Sequence, residues 1–558
     1  MIKILITTLT LSLMFSLTVG CSKFTETSDV VSSGEITEQD LSLRIKELSS
    51  DNFEGRAPGT PGGIAASQYI ADEMNSIGLV PMGSDGSYFQ SVELTAQTLL
   101  PNSQMNINFD RESVFDGNDK KNSVYWTKRL NENIDIKSSE LVFVGFGINA
   151  PEYNWNDYSE IEVKGKTVLI LINDPGFATQ DETLFKGNAM TYYGRWTYKY
   201  EEAARQGAAA AIIIHKTAPA SYGWQVVSGS WSGEQYDLVR PDKGVSRTAL
   251  EGWMTYGKAE ELLLKAGLKL KDLEANATEN NFKALSIPRL TLSASLKQNI
   301  KTTVSRNVAG GVIGSKYPED FVLYMAHWDH LGMNLEIEGP DKIYNGAVDN
   351  ATGTAAIIEI AEAFKTGMQP ERSALFLAVT AEESGLLGSA YYAEEPLVPL
   401  KNTIAGINID AMLPLGRTKD MKVIGYGASE LEDLLESTLD RRNMYIVPDD
   451  KPEAGYYYRS DHISLAKKGV PMLYADPGNE HEDYGLIFGE DFSEDYTKNR
   501  YHKPADEYND TWDLSGIKQT SEILYELGYN LANSTMWPNW YEGTEFRSLR
   551  TKMMNSEE

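Results

Sequence analysis

The stretch Phe321-Val322-Leu323-Tyr324-Met325-Ala326-His327-Trp328-Asp329-His330 decides how this chain is read. An apolar run of strand length with no polar face predicts a strand buried on both sides, the kind found in parallel, helix-covered sheets. The run ends on two of the six histidines in 558 residues. Imidazoles at a strand end, with Asp329 two residues after His327 to orient its ring, are the raw material of zinc ligands and of the groups behind them. Taken alone, the stretch fits a hydrogen-bonded core histidine followed by loop polars at least as well.

What lies downstream shifts that balance. Gly346-Ala347-Val348-Asp349-Asn350 precedes a small-residue helical pattern from Thr352 to Phe364, so Asp349 sits on a turn at a helix start. The apolar run Leu375 to Ala381 ends in Glu382-Glu383. On its own such a pair reads as a solvated helix opening favoured by the helix dipole. Following a buried strand, it reads as site chemistry. A third run, Thr403 to Ile409, terminates in Asp410, and the loop Tyr501-His502-Lys503-Pro504-Ala505-Asp506-Glu507 adds a late histidine.

Zinc takes imidazole nitrogen and carboxylate oxygen, and a two-metal site needs a carboxylate able to bridge both ions. Asp349 is the natural bridge. One zinc then has His327 and Asp410, and the other has Glu383 and His502. Glu382 is left over, in the place of a general base that takes a proton from attacking water.

The order H-x-D, G-A-x-D-N, E-E, N-x-D, Y-H resembles the co-catalytic di-zinc aminopeptidases of metallopeptidase clan MH, family M28. The resemblance implies two Zn2+ per chain, with ligands His327, Asp349, Glu383, Asp410 and His502, base Glu382, and Asp329 as the carboxylate behind His327. Tyr457 to His462 also resembles a family segment, which makes Arg459 and Tyr501 candidates for oxyanion stabilisation. Ordinary loop packing is their alternative. The function implied is an aminopeptidase that removes N-terminal residues from peptides with a free N-terminus. Alternatives are a single-zinc glutaminyl cyclase-like acyltransferase, a carboxypeptidase acting on acidic tails, or a surface binding protein without activity. Of the other histidines, His215 reads as a structural strand-end residue, His330 and His462 as lining of the site, and His481 as a loop residue or a substrate contact.

At this length a single core gives way to two. The expected fold class is α/β, a mostly parallel helix-covered sheet of zinc-exopeptidase type with a smaller β-rich α/β insert. Residues 141–288 carry their own strand patterns (Leu141 to Gly147, Lys166 to Ile172) and a helix-then-strand unit from Lys199 into Ala208 to Ile214. They resemble a protease-associated (PA) domain. Residues 41–140 and 289–558 would form the peptidase domain from two separated stretches. The earlier stretch holds a Gly- and Pro-rich loop, Leu48 to Gly63, followed by a helix from Ile64 to Ile77.

Lys3 and the apolar stretch Ile4 to Gly20 read as a secretory signal over residues 1–20. The single cysteine, Cys21, closes Leu17-Thr18-Val19-Gly20-Cys21, which resembles a bacterial lipobox with Thr18 where leucine is usual. The implied protein is an exported lipoprotein held at a cell-envelope membrane through Cys21, with residues 21–40 as a polar tether. One cysteine cannot form an internal disulfide. Lys plus Arg number 51 against 80 acidic residues, net −29, which argues against nucleic acid as a partner because phosphate binding needs a basic face.

Overall fold

A computed structural model of the chain describes residues 35–555. The signal over 1–20, Cys21 and the tether as far as residue 34 lie outside the described residues. The rest of the expected tether is not all extended: a helix, Glu38–Leu48, starts inside it, with the Thr37 hydroxyl accepting from the Asp40 amide at 3.0 Å. No helix among the described residues is long and apolar enough to cross a membrane.

The main sheet is parallel at its centre and antiparallel at its flanks. Arg372–Val379, Tyr317–His327, Thr403–Asn408 and Met472–Pro477 lie side by side in that order, all parallel. On one flank the long strand Leu285–Val312 pairs antiparallel with Arg372–Val379, and Phe89–Leu99 pairs antiparallel with Leu285–Val312. On the other, Asp420–Val423 runs antiparallel to Met472–Pro477. Both faces are covered, as the unbroken apolar runs require. Phe321, Leu323 and Met325 pack toward Tyr392, Leu465 and Trp540. On the opposite face Tyr324 stacks on Phe376 and meets Phe364 of the helix Gly353–Thr366, which is packed in turn against Ser515–Ala532. The helix expected at Ile64 begins at Pro61, where Thr60 caps it and proline at the first position loses no hydrogen bond.

A second sheet forms around three parallel pairings: Asn133–Phe143 with Thr167–Leu171, that strand with Ala210–His215, and this one with Leu250–Thr255. Its extent differs from the expected 141–288. The sheet recruits Gln104–Phe109, Glu112–Asp116 and Ser123–Trp126, and its far side is the first half of Leu285–Val312. That 28-residue strand is shared by both sheets, so no break in the chain marks the return to the first. Gln235–Leu238, from within the expected insert, pairs with Phe89–Leu99 of the main sheet.

Candidate metal centre

Parallel alignment puts the carboxyl ends of the central strands on one edge, where α/β sheets bind ligands. His327 is the last residue of its strand. Glu382 and Glu383 lie just past Val379, and Asp410 just past Asn408. Asp349 comes from the turn before the helix Gly353–Thr366, and His502 from the loop after Gly485–Asn499. Ala381, Ala411 and His502 itself have φ of 55°, 56° and 54°, conformations that cost a non-glycine residue about 1 kcal/mol or more and that gather at functional sites. Gly346, at φ 55°, leads into the Asp349 turn, and a Cβ there would sit 2.3 Å from the Asp349 carbonyl oxygen and 2.6 Å from the His330 ring.

Asp349 faces both ways. Its Oδ1 is 3.3 Å from His327 Nε2 and its Oδ2 is 3.1 Å from His502 Nε2. Asp410 Oδ1 lies 3.1 Å from His327 Nε2, and Glu383 Oε2 lies 3.1 Å from His502 Nε2. These distances set two groups around Asp349, His327 with Asp410 on one side and His502 with Glu383 on the other.

The electrostatics ask for cations. His327 Nδ1 donates to the Asp329 carbonyl at 3.2 Å, so its Nε2 confronts two carboxylates and must carry either a proton or a metal. Burial works against its imidazolium, yet the carboxylates, Asp410 first, hold its pKa well above the usual value. His502 is opposed by burial too, and its bonds to Asp349 and Glu383 raise it to about 10. Glu382 is pushed well up by burial, reinforced by the charges of Glu383 and Asp410. Buried polar atoms remain without hydrogen-bond partners, among them His330 Nε2 and Asp329 Oδ2. The donor set, oxygen and imidazole nitrogen in two groups around one shared carboxylate, fits a pair of zinc ions.

Two expectations change. The Asp329 carboxylate is 3.9 Å from His327 Nδ1; the carbonyl of the same residue holds the ring instead. Its carboxylate accepts the Glu382 amide at 3.1 Å, so Asp329 fixes the loop carrying the base. His330 and His462 are fully buried and do not line the cavity. His330 Nδ1 lies 2.6 Å from Glu383 Oε1, in a group with Asp349 that could itself hold a cation, while His462 packs against Tyr457 and Tyr474. His215 bonds the Tyr222 carbonyl, as a structural residue should. His481 is buried and accepts the Asp483 and Tyr484 amides. Tyr501 and Arg459 both line a cavity of about 470 Å³ that opens on His327, Asp349, Glu382, Asp410 and His502. Tyr501 stacks on the His502 ring at 3.9 Å, and Arg459 donates to the Ala454 carbonyl at 2.6 Å and lies over Tyr456.

A supporting layer escaped the sequence reading. Ser460 donates to Asp410 Oδ2 at 2.7 Å, and Asp506 accepts the amides of Val348 and Asp349, each at 3.1 Å. Asn350 ties its own turn to the Asp410 turn through Ile409 O, Gly353 N and Ala411 N. Fully buried Arg56 donates to four carbonyls, of Leu48, Trp328, Asn345 and Gly346, clamping the Gly- and Pro-rich loop behind the cluster.

Fold and site thus define a class, proteins whose α/β sheet gathers buried carboxylates and imidazoles able to hold metal at its carboxyl edge. Residues 307–528 match the family model described as Peptidase family M28. The five candidate ligands and Glu382 all fall inside it. The chain is 33% identical over 125 residues to the Aminopeptidase NAALADL1 of Mus musculus, covering 21% of this chain and 15% of that protein. It is 25% identical over 214 residues to the Aminopeptidase YwaD of Bacillus subtilis (strain 168), covering 35% and 42%. The matches therefore span less than half the length of these relatives. Among solved structures, an aminopeptidase from Aneurinibacillus sp. strain AM-1 superposes with TM-score 0.46 at 19% identity over 89% of this chain and 94% of that one.

Proposed function

We propose that this protein is an exported zinc aminopeptidase that hydrolyses the first peptide bond of substrates with a free N-terminus. The observation that carries the reading is Asp349, whose two oxygens face His327 and His502 separately. The ligands would be His327 and Asp410 on one side, Glu383 and His502 on the other, and Asp349 between. Zinc there supplies Lewis acidity to the scissile carbonyl and acidifies water. Glu382, on the cavity wall and with its basicity raised by burial, takes the proton from attacking water and passes it to the leaving amine. Tyr501, beside His502, and Arg459, both on the cavity lining, would stabilise the developing oxyanion.

The second sheet is read as the PA-type insert. It supports a role at the cleft: Met190 N donates to Pro452 O at 3.0 Å, Ser221 Oγ to Glu453 O at 2.8 Å, and Tyr222 lies 6.0 Å from the Arg459 guanidinium. These contacts brace the loop that carries Arg459. Anchoring through a lipid at Cys21 and residence at a cell-envelope membrane complete the reading.

Metal analysis together with release of free amino acids from short peptides tests it. Glu382→Gln keeps two zinc ions per chain and lowers kcat by about a thousandfold or more, within the range that loss of a general base gives. A fully active Glu382→Gln protein, or one metal per chain in the active form, refutes the mechanism.

A further inference from the structure

The cavity continues past the metal-type cluster to a second carboxylate that the mechanism does not use. Asp476 is at the end of the strand Met472–Pro477 and stands directly opposite Lys422 of Asp420–Val423. Opposite charges placed across a strand pair attract, and their pairing stabilises a sheet. Here the partner is diverted. Lys422 Nζ reaches Asp450 Oδ2 at 2.6 Å, while Asp476 Oδ1 is buried without a hydrogen-bond partner. A buried carboxylate oxygen with no donor is costly, and a cation brought to it by a ligand relieves that cost.

The walls around Asp476 suit the rest of such a ligand. Leu413, Leu415, Ile424 and Tyr474 line the same cavity. They offer apolar surface to a methylene stem, as the flanks of buried lysine and arginine side chains require. Asp449, also on the lining, spends Oδ1 on the Lys451 amide at 2.9 Å, and so leaves Asp476 as the carboxylate with an unmet demand. The cavity thus carries on one lining the groups of the metal-type cluster, an apolar wall and the Asp476 carboxyl.

We propose that Asp476 is a specificity-determining residue that selects peptides beginning with lysine or arginine, by pairing with the cationic head of that first side chain. The proposal rests on the aminopeptidase reading above. It gives an acidic pocket to cationic side chains and rejects acidic first residues, which would set two carboxylates against each other.

The test compares amide substrates that differ only in the first residue: lysine, arginine, norleucine and glutamate. Norleucine keeps the stem of lysine and lacks its charge. The zinc-loaded wild-type protein should show kcat/KM at least tenfold higher for lysine than for norleucine. In Asp476→Asn, which is isosteric and whose melting temperature is measured alongside, that ratio should fall at least tenfold, mostly through KM. A wild-type protein that cleaves norleucine as well as lysine overturns the proposal. So does a uniform fall across all four substrates in Asp476→Asn, which would mean that Asp476 holds the α-ammonium group common to them. In both of those results the peptidase reading stands. Absence of hydrolysis for every substrate by the zinc-loaded protein removes the peptidase reading and this proposal together.

Discussion

Two sheets in one chain bury charged residues beside their strands, and they treat them in opposite ways. In the second sheet three buried charged groups, Lys199, Asp174 and Asp157, are satisfied from nearby. Lys199 donates to the Phe146 and Asn173 carbonyls at 2.7 and 2.8 Å. Asp174 accepts from the Thr191 hydroxyl and the Phe177 amide, and Asp157 from the Trp155 indole and the Ile148 amide. In the main sheet His327 Nε2 faces two carboxylates, and His330 Nε2 and Asp329 Oδ2 lack partners. A buried polar group that the fold satisfies is part of the fold, and one left facing its own kind is arranged for something else. Burial and perturbed pKa are shared by both sheets, so neither of these alone marks a site.

The sharpest way to break this contrast is to remove the shared carboxylate. Asp349→Ala should reduce bound zinc from the proposed two per chain to one or none and lower kcat/KM by about a thousandfold or more, because it would take a ligand from both ions. Zinc analysis beside peptide hydrolysis measures this. Two retained metals in that variant would show that the cluster is not organised around Asp349.

The counterpart in the second sheet is Lys199→Met. Burial pushes the Lys199 ammonium down to about 7, against the pull of Asp174 and Asp157. Removing it leaves two carbonyls without their donor and two buried carboxylates without a nearby cation, a loss of about 2 to 4 kcal/mol in stability. The kcat/KM of the folded fraction should stay within about twofold. Urea unfolding and activity on the same preparation separate the two effects, and a tenfold fall in activity of the folded protein would mean that the second sheet does more than hold itself together.

The same contrast explains what could be read from sequence. His327, Glu382, Glu383 and Asp410 were visible because a charged residue closing an apolar strand has few other reasons to be there, and Asp349 because a turn before a helix aims its side chain. The groups behind them were not visible. Arg56 meets Trp328 and Gly346, and Ser460 meets Asp410, only after the chain has closed on itself, and no local pattern encodes those meetings. Asp329 was legible in kind and misjudged in detail: the carbonyl, which every residue has, took the position expected of the carboxylate. The spread of the second sheet beyond residues 141–288 has a related cause. Leu285–Val312 alternates buried and exposed positions through much of its length without a turn, so nothing in its composition says where one sheet hands over to the next.

Ser460→Ala probes the middle ground, a fold-satisfied group serving an unsatisfied one. Its hydroxyl reaches Asp410 Oδ2 and in turn accepts from Asn408 Nδ2 at 2.8 Å. Groups that orient a ligand are worth about 10- to 100-fold in metal affinity. Zinc titration against a competing chelator should show a loss of that size at one of two sites, with a change in stability of about 1 kcal/mol. An equal weakening of both sites would place Ser460 outside the role of holding Asp410.

The smallest effect is expected where the two sheets' territories touch. Glu201, on the helix Trp196–Arg205, pairs with Lys467 at 2.6 Å, at the end of the helix His462–Ala466. Burial opposes the Glu201 carboxylate, but Lys467, with the Tyr192 hydroxyl, brings its pKa down to about 2. A carboxyl depressed in the folded state contributes stability that is present above its unfolded value, near 4.5, and is lost as pH falls toward 2. Lys467→Met should therefore unfold at lower urea than wild type at pH 7, by about 1 kcal/mol given the pair's partial exposure. The difference between the two proteins should shrink steadily between pH 5 and pH 3. Measuring that difference at each pH cancels the loss of bound metal in acid, which both proteins share. A gap that stays constant across the window would mean that Lys467 contributes through packing of its stem on the Tyr192 ring, 5.1 Å from its Nζ, and not through its charge.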